Sequence, residues 1–306
     1  MELQQSKMYQ SYIASLGWTV FSVGKSVLFL KHIPFLGTLA KLQRPDTLPE
    51  INSFIALLKE KKIKTLAIEP SPRVNQKEFS SFCTSIRPYV KLNSSPFLPT
   101  KTILIDLKPP VDTIFNHFSE AKRRAVRKAE KNGVLVRESP NISDLIHIKN
   151  KSAGFLGFIT THGTRELWNV FSPKNATTLI AYSSEKSSDP IAGVLLVFYN
   201  NTSYYWIAGA KREGKKLFAP TLLVYEALKI SKKRNMKTFD FVGVFDDRMP
   251  NENRAWKGFT KFKEGFGGKE LYYPVSSLSS YCHASQMSLN SQKSQCFPGV
   301  GAKELV

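Results

Sequence analysis

The order of strand-like and helix-like segments between residues 102 and 242 restricts this chain to few folds. Runs typical of strands occupy residues 102–107, 134–137, 178–182, 192–198, 204–208 and 239–242. Apolar residues at helical spacing lie between them, at residues 112–131, 142–148, 164–170 and 221–231. The predicted order is therefore β-α-β-α-α-β-β-β-α-β. Such an order favours a mixed sheet with helices packed on it.

One of these helices, predicted over residues 112–131, has an unusually basic polar face. Its apolar face includes Ile114 and Val126, and Asn132 with Gly133 is predicted to end it. The polar face carries Lys122, Arg123, Arg124, Arg127, Lys128 and Lys131. Like charges at four-residue spacing repel one another, so a bound polyanion would stabilise this face. A solvated basic surface is the alternative interpretation.

The whole chain shares this positive charge. It has 44 Lys and Arg residues against 24 Asp and Glu, which gives a formal net charge of +20. The hydrophobic fraction of 42% is that of an ordinary globular protein, so disordered, collagen-like and coiled-coil classes are excluded. The charge excess favours a polyanionic partner such as a nucleic acid.

The first hundred residues predict a smaller α/β unit. Residues 18–31 alternate in polarity around Gly24, which indicates two strands joined by a tight turn at the edge of a sheet. Thr47 and Glu50 fit a T-x-x-E capping box, followed by a helix and then a strand. A second helix is predicted over residues 79–86. A length of 306 residues suits about two domains.

The predicted domain boundary lies near Pro99. It gives a first domain of residues 1–100, a second of residues 101–275 and a Ser-rich polar tail of residues 276–306 that is expected to be poorly ordered.

Other features of the sequence narrow the class of protein further. The three cysteines, Cys83, Cys282 and Cys296, have neither disulfide-framework nor zinc spacing, so no metal is expected. The apolar stretch at residues 13–30 is interrupted by polar residues and is too weak for a spanning helix. We therefore expect a cytoplasmic protein, with contact to a membrane surface among its interactions.

The segment from residue 258 to 268, GFTKFKEGFGG, carries the strongest local signal for chemistry. Aromatic residues alternate with lysines and are followed by three glycines. Glycines allow close backbone approach, and Lys263 just before them can present its ammonium group to a phosphate or a developing oxyanion. A purely structural glycine-rich turn is the alternative.

Several motifs in this order resemble those of the Fem aminoacyltransferase family. The run KRRAVRKAEKNGV, residues 122–134, resembles the family's K-x-R-x-x-I-R-x-A-x-K-x-G-V motif. The segments WIAGA at 206–210, AP at 219–220, FDFVG at 239–243 and GFTKFKEGFGG at 258–268 also look like that family. The resemblance covers residues 101–273. It implies an α/β (α+β) fold of two GNAT-like domains, each a mixed sheet flanked by helices.

The resemblance also implies a function. Fem enzymes transfer an amino acid from aminoacyl-tRNA to the side-chain amine of a peptidoglycan precursor, which is UDP-linked or lipid-linked, and use no cofactor. The resemblance implies that Lys263 is the catalytic lysine, because it matches the lysine of the F-K-x-G-F-G motif. It implies substrate contacts for Lys151, Phe262, Asp240, Gly265 and Gly267, listed here as the expected binding residues. The expected tRNA contacts are Arg123, Arg124, Arg127, Lys128 and Lys131.

Two departures from the family pattern stand out. Where members often carry T-x-x-R-x-G-F, this chain has KNKSAGF at residues 149–155, so Lys151 would replace an arginine. Lysine lacks the bidentate fork of arginine, which leaves the class of precursor open. No heptads match the coiled-coil arm that some members insert.

Three other functions are compatible with the sequence. The first is a GNAT-like N-acyltransferase that uses acyl-CoA, although KREGKK at residues 211–216 matches the pyrophosphate loop R-x-x-G-x-G/A poorly. The second is tRNA-dependent transfer to another amine. The third is an RNA-binding protein without catalysis, in which Lys263 would have no role in turnover.

Overall fold

The computed structural model describes residues 1–153 and 157–276, which form two compact units. The first comprises Met1–Lys101, Asp246–Arg254 and residues 272–276, and the second comprises Thr102–Phe245 and Ala255–Leu271. The predicted polar tail lies outside the described residues from residue 277 onward. Within the described ranges, no helix has the length and apolar character required to cross a bilayer.

A sheet with helices packed on it makes up the first unit. Its strands are β1 (Thr19–Val23), β2 (Ser26–Ile33), β3 (Gly37–Gln43), β4 (Ile63–Glu69) and β5 (Lys91–Leu92), and its helices are α1 (Lys7–Ser15), α2 (Ile51–Glu60) and α3 (Gln76–Ile86). The strand order is β1-β2-β3-β4-β5, with β1, β2 and β3 antiparallel and β3, β4 and β5 parallel. The core lies between the sheet and the two crossover helices, where Phe54 and Phe82 pack at 5.7 Å between ring centroids.

Two predictions for this unit are confirmed and one is wrong. The hairpin around Gly24 forms, with β1 at the sheet edge, and the helix predicted at residues 79–86 is α3. The capping box is wrong, because Glu50 itself is the N-cap of α2 and its carboxylate accepts from the backbone N–H of Asn52 and Ser53. A carboxylate is as good a cap as a hydroxyl at that position. The sequence reasoning also missed β3.

The second unit follows the order predicted from the sequence, with some additional elements. Its strands are β6 (Lys101–Asp106), β7 (Leu135–Ser139), β8 (Ala176–Tyr182), β9 (Pro190–Tyr199), β10 (Thr202–Ala210), β11 (Thr238–Asp240) and β12 (Lys269–Tyr272). Its helices are α4 (Val111–Asn116), α5 (Glu120–Lys131), α6 (Ile142–Ala153), α7 (Gly157–Thr160), α8 (Thr164–Phe171), α9 (Arg212–Lys216), α10 (Ala219–Lys233) and α11 (Lys257–Glu264). The expected fold class, mixed sheets flanked by helices, is confirmed.

Strand order in this sheet is β12-β6-β11-β10-β9-β8-β7. Strands β9 and β10 form a hairpin through Asn200 and Asn201, which have φ angles of 46° and 62° as the tight turn requires. Strand β10 is parallel to β11, and β11 is antiparallel to β6. The parallel pair lies in the middle of the sheet, where the functional site forms.

The helix predicted over residues 112–131 is interrupted, which corrects the sequence interpretation. Helix α4 ends at Asn116, and Ser119 caps the start of α5 by accepting a hydrogen bond from the N–H of Lys122. The N–H of Ser119 donates to the carbonyl of Gly265 at 2.8 Å. This contact with a distant segment ends one helix and begins the next, and periodicity cannot register it. The end at Asn132 and Gly133 is as predicted.

Aromatic side chains connect α4, α5, β11 and α11 in the core of the second unit. Phe118 lies edge-on to Phe266 with ring centroids 5.0 Å apart, Phe266 lies 5.8 Å from Phe241, and Phe241 lies 5.2 Å from Phe239. All four rings are buried. Contacts of this kind fix the end of α11, and therefore Lys263, relative to the sheet.

Helix α9 depends on one glycine for its position, which gives a stability prediction. A Cβ at Gly214 would lie 2.4 Å from the carbonyl oxygen of Ile191, a backbone atom of β9 that cannot turn away. We expect Gly214→Ala to destabilise the protein by about 1–3 kcal/mol through overpacking. The measurement is chemical denaturation of the purified variant.

Gly258 provides the matched control. It is exposed in α11, and a Cβ there would meet nothing within 4 Å. Gly258→Ala is expected to stabilise by about 0.5–1 kcal/mol, because alanine restricts the unfolded chain and suits a helix. Equal effects of the two substitutions would contradict the packing assigned to Gly214.

Candidate active site

A cavity opens where two parallel strands of the second unit part. Strand β10 pairs with β11 over only three residue pairs, from Thr202 and Thr238 to Tyr204 and Asp240. Beyond that point β10 continues to Ala210, with a register irregularity between Tyr205 and Ile207 in its pairing with β9, while β11 ends. The space between the diverging chains is a cavity of about 420 Å³.

Most of the cavity wall is apolar. It is lined by Lys149, Gly193, Tyr205, Trp206, Ile207, Ala208, Gly209, Ala210, Lys215, Phe218, Pro220, Thr221, Leu223, Phe241, Val242, Phe259, Phe262 and Lys263. Three lysines therefore face a wall made chiefly of aromatic and aliphatic groups. This combination suits a ligand that carries, or develops, negative charge in a poorly hydrated site.

Lys263 is the most constrained of these lysines. It lies in the last turn of α11, is 4% exposed, and its Nζ donates to the carbonyls of Phe241 at 2.8 Å and Gly243 at 2.7 Å. The ring of Phe259 lies 4.8 Å from the same nitrogen. An ammonium group has three N–H bonds, so two carbonyl contacts fix its position and leave one N–H for a ligand.

The segment that accepts these hydrogen bonds is itself held from behind. Asp240 is buried, and its Oδ1 accepts from the hydroxyl of Thr102 at 2.5 Å and from the N–H of Val242 at 2.7 Å. The Thr102 hydroxyl also accepts from the N–H of Gly243 at 3.1 Å. Val242 has a φ of 57°, which is strained for a β-branched residue. The hydrogen bonds hold this conformation and so aim the two carbonyls at Lys263.

Burial changes the protonation of the cavity lysines. It lowers the pKa of Lys263 to about 7, with the positive charge of Lys149 acting in the same direction and the negative charge of Asp240 opposing both. Burial also lowers the pKa of Lys149 to about 8. Two ammonium groups in one apolar site disfavour each other, and an anionic ligand between them would raise both pKa values.

Only part of the predicted substrate-binding set lies at the cavity. Phe262 and Lys263 line it, and Asp240 stands behind its wall with its carboxylate bonded to the backbone. Gly265 and Gly267 do not line it. A Cβ at Gly265 would lie 2.7 Å from the side chain of Lys122, and one at Gly267 would lie 3.1 Å from the carbonyl of His117, so both serve packing.

Lys151 is exposed on α6, and the cavity is lined instead by Lys149 from the same helix. A Cβ at Gly209 would lie 3.1 Å from the Cα of Lys149, so this glycine allows β10 to approach α6 closely. Sequence reasoning missed Lys149. The available signal was Gly209 in the middle of a strand, a position that marks close backbone approach.

The basic face of α5 divides into structural and exposed members. The Nη1 of Arg123 donates to the carbonyls of Asn116 and Phe118, where α4 gives way to α5, and Arg124 pairs with Glu120 at 2.7 Å. The exposed members are Arg127, Lys128 and Lys131. The Nζ of Lys128 lies 5.7 Å from the ring of Phe218, which lines the cavity. The exposed face thus reaches the cavity rim.

Lys122 also departs from the exposed face. Its Nζ lies 3.8 Å from the ring centroid of Phe262 and 5.0 Å from that of Phe266. Burial lowers its pKa to about 8. The side chain supports the aromatic end of α11 from the side opposite the cavity wall that Phe262 forms.

Residues 211–216, the candidate pyrophosphate loop, fold as α9. The N–H groups of Lys211, Lys215 and Leu217 donate to the carbonyls of Ile191, Lys211 and Glu213, and the N–H of Phe218 donates to Lys215. A loop that cradles pyrophosphate needs free backbone N–H groups that converge on the ligand. These groups already have acceptors within the protein.

The sequence pattern of a known family covers the cavity. A family model described as the FemAB family matches residues 173–273. The resemblance to the Fem family is confirmed. The matched segment contains β9, β10, α9, α10, β11 and α11, which supply every lining residue named above except Lys149. The Fem match gives acyl transfer as the class of chemistry.

Solved structures share this fold. A crystal structure of FemX matches with a TM-score of 0.64 and 16% identity, over 89% of this chain and 90% of that one. The C-terminal domain of a putative lysylphosphatidylglycerol synthetase from Agrobacterium fabrum matches at 0.55 and 12%, over 93% of each chain. L-PGS from Bacillus licheniformis matches at 0.51 and 14%, over 86% and 84%. The expected GNAT-like fold is confirmed, and identities this low show the fold alone.

No curated protein matches the Fem-like sequence. Among the described residues, no group of three or more His, Cys, Asp or Glu side chains is placed to hold a metal ion.

The two charges that act on Lys263 have opposite signs and give opposite predictions for its pKa. Asp240→Asn removes a negative charge and keeps the Oδ1 acceptor, so we expect the pKa to fall below about 7. Lys149→Gln removes a positive charge, so we expect the pKa to rise above about 7. Side-chain NMR of labelled lysines at a series of pH values measures both shifts.

Lys122 supplies an internal control in the same spectra. Its pKa is lowered to about 8 by burial alone, so neither substitution should move it. A shift of Lys263 in the same direction in both variants would show that the charges of Asp240 and Lys149 do not control its protonation.

Proposed function

We propose that this chain transfers an amino acid from aminoacyl-tRNA to the side-chain amine of a peptidoglycan precursor's stem peptide. The observation that carries the proposal is Lys263, held by two carbonyls at the end of a cavity whose walls coincide with the FemAB match. The relative named FemX has the same fold. The proposal gives each part of the cavity a chemical role.

The reaction needs positioning and charge stabilisation more than it needs a protein nucleophile. The aminoacyl ester is already activated, so the acceptor nitrogen can form its bond to the carbonyl carbon directly. The bond from that carbon to the ribose oxygen then breaks, and one proton passes from the nitrogen to the departing oxygen. Negative charge develops on the carbonyl oxygen in between, and the third N–H of Lys263 stabilises it.

The protonated form of Lys263 is the donor in this mechanism. Transfer is therefore expected to decline as the pH rises through the pKa of Lys263 in the complex with substrate. Lys149 contributes a second positive charge in the cavity, and Phe262 contributes an apolar wall for the aminoacyl group. Asp240 acts on Lys263 through the backbone of Val242, as a positioning residue. Lys151, exposed on α6, is assigned to the precursor.

Use of acyl-CoA as the donor is less well supported. The N–H groups of residues 211–218 that would bind its pyrophosphate are occupied by backbone acceptors in α9. A tRNA donor instead suits the exposed cations of α5, whose edge reaches Phe218 at the cavity rim. Phosphates of the acceptor stem would contact this face while the aminoacyl end enters the cavity.

The catalytic role of Lys263 predicts a loss of turnover without a loss of tRNA binding. We expect Lys263→Met to lower transfer by about 10²–10³-fold, as removal of an oxyanion donor does. The assay offers the protein a pool of radiolabelled aminoacyl-tRNAs and a UDP-linked muramyl pentapeptide, and follows label into the peptide. Parallel reactions contain acetyl-CoA as the donor. Filter binding measures tRNA affinity, which should stay nearly unchanged.

Lys261→Met is the matched control. Lys261 lies on the same helix and is exposed, so its substitution should leave transfer unchanged. Equal rates for wild type and Lys263→Met would remove the assigned role. Label that enters the peptide only from acetyl-CoA would establish the acyl-CoA reaction, and label from neither donor would exclude this acceptor.

The exposed face of α5 predicts the salt dependence of tRNA binding. Replacement of Arg127, Lys128 and Lys131 by Gln removes up to three phosphate contacts. Each contact contributes about 0.7–0.9 to the slope of log K against log salt, so the slope should become shallower by about 2–3. The three residues are exposed, which favours an effect on binding rather than on folding.

A control triple variant separates this surface from overall charge. Lys174, Lys186 and Lys237 are exposed on other segments of the second unit, and their replacement by Gln removes the same charge. This control should weaken binding only slightly. Identical slopes for the two triple variants would place the tRNA contacts elsewhere.

A further inference from the structure

The hairpin between β2 and β3 ends in an apolar tip that faces solvent. Its three turn residues are Pro34, Phe35 and Leu36, of which Phe35 is fully exposed and Leu36 is 69% exposed. Phe35 has a φ of 66°, and the N–H of Leu36 donates to the carbonyl of Ile33 at 3.1 Å, so the turn is closed by its own backbone. The fold of the first unit does not use these side chains.

The tip stands at a defined edge of the sheet. Strands β3, β4 and β5 are parallel, so the turn before β3 lies at the same edge as the segments before β4 and β5. Tyr89, two residues before β5, is 45% exposed at this edge. Leu36 and Tyr89 therefore project from neighbouring positions on one side of the unit. We call Phe35, Leu36 and Tyr89 the apolar tip group.

Basic side chains surround the apolar tip group. The exposed members are Lys59, Lys62, Lys64, Arg87 and Lys91, which we call the basic ring. They line one open depression together with Tyr89. A Cβ at Gly37 would lie 2.7 Å from the Lys64 side chain, which places Lys64 against the base of the hairpin, and the Lys59 Nζ lies 4.8 Å from the Tyr89 ring.

Acidic groups do little to offset this charge. Glu60 is the acidic residue at the end of α2, and its carboxylate pairs with Lys61 at 2.8 Å. The basic ring is thus left with a net positive charge. Exposed cations around exposed apolar side chains combine the two interactions by which peripheral proteins bind lipid surfaces.

We propose that this edge of the first unit docks the protein on an anionic membrane surface. Phe35 and Leu36 would enter the boundary between headgroups and acyl chains, while the basic ring contacts lipid phosphates. A nucleic acid fits less well, because Pro34 and Leu36 offer neither base stacking nor hydrogen bonds. The proposal concerns a surface outside the cavity and is independent of the acyl transfer proposed above.

Vesicle co-sedimentation of the full chain tests the docking. Vesicles of phosphatidylcholine with phosphatidylglycerol should bind the protein, and vesicles of phosphatidylcholine alone should bind it at least about tenfold more weakly. Added salt should weaken binding to the anionic vesicles. Absence of binding to the anionic vesicles at low salt would overturn the proposal.

Substitutions separate the apolar and basic contributions. Phe35→Ser with Leu36→Ser should lower binding to anionic vesicles by about tenfold or more, because the inserted apolar area is lost. Lys62→Gln with Lys64→Gln and Lys91→Gln should lower it and flatten its salt dependence. Ile51→Ser is the control, since Ile51 is an exposed apolar residue at the start of α2, at the opposite sheet edge.

A third variant reports insertion directly. Phe35→Trp places a fluorophore at the tip, and its emission, taken as the difference from wild type, should shift to the blue and be quenched by brominated acyl chains in anionic vesicles. Binding without quenching would show that the tip stays in water and would refute insertion. The same variants are titrated with tRNA. Loss of tRNA binding in the lysine variant, with vesicle binding intact in both, would assign this edge to nucleic acid instead.

Discussion

The functional site of this protein depends on how little of β10 and β11 is paired. Two parallel strands that remained hydrogen-bonded to their ends would leave no room between them, and the sheet would be continuous. Here β11 ends at Asp240, while β10 runs on beside α6 to Ala210. The chain that leaves β11 then forms the cavity wall. Its carbonyls, freed from the sheet, are the acceptors that fix Lys263.

A buried lysine is costly to keep charged, and the second unit offsets that cost in part. Two carbonyls and the nearby carboxylate of Asp240 stabilise the ammonium, while burial and Lys149 oppose it, and the resulting pKa of Lys263 is about 7. The group is therefore responsive to what occupies the cavity. Negative charge on a ligand favours the protonated form, so the donor is strongest when such charge is present.

Regular elements of the fold could be predicted from sequence, because periodicity reflects burial along one face. The order of strands and helices in the second unit and the hairpin of the first follow from it. The break at Ser119 could not, since it depends on the carbonyl of Gly265, a distant partner. The site shows the same division. Lys263 lies in a recognisable segment, whereas Lys149 reaches the cavity only because Gly209 lets α6 approach β10, and Gly265 and Gly267 prove to serve packing.

Helix α9 has a consequence for how the choice of donor could change during evolution. Affinity for a donor is often altered by exchange of a few side chains around an unchanged backbone. In this protein the segment before α10 has committed its N–H groups to internal acceptors, and Gly214 is wedged against β9. Acquiring a pyrophosphate-binding loop there would require the segment to refold, by insertion or deletion, before any point mutation could be selected. Donor preference is thus recorded in the main chain, where drift is slow.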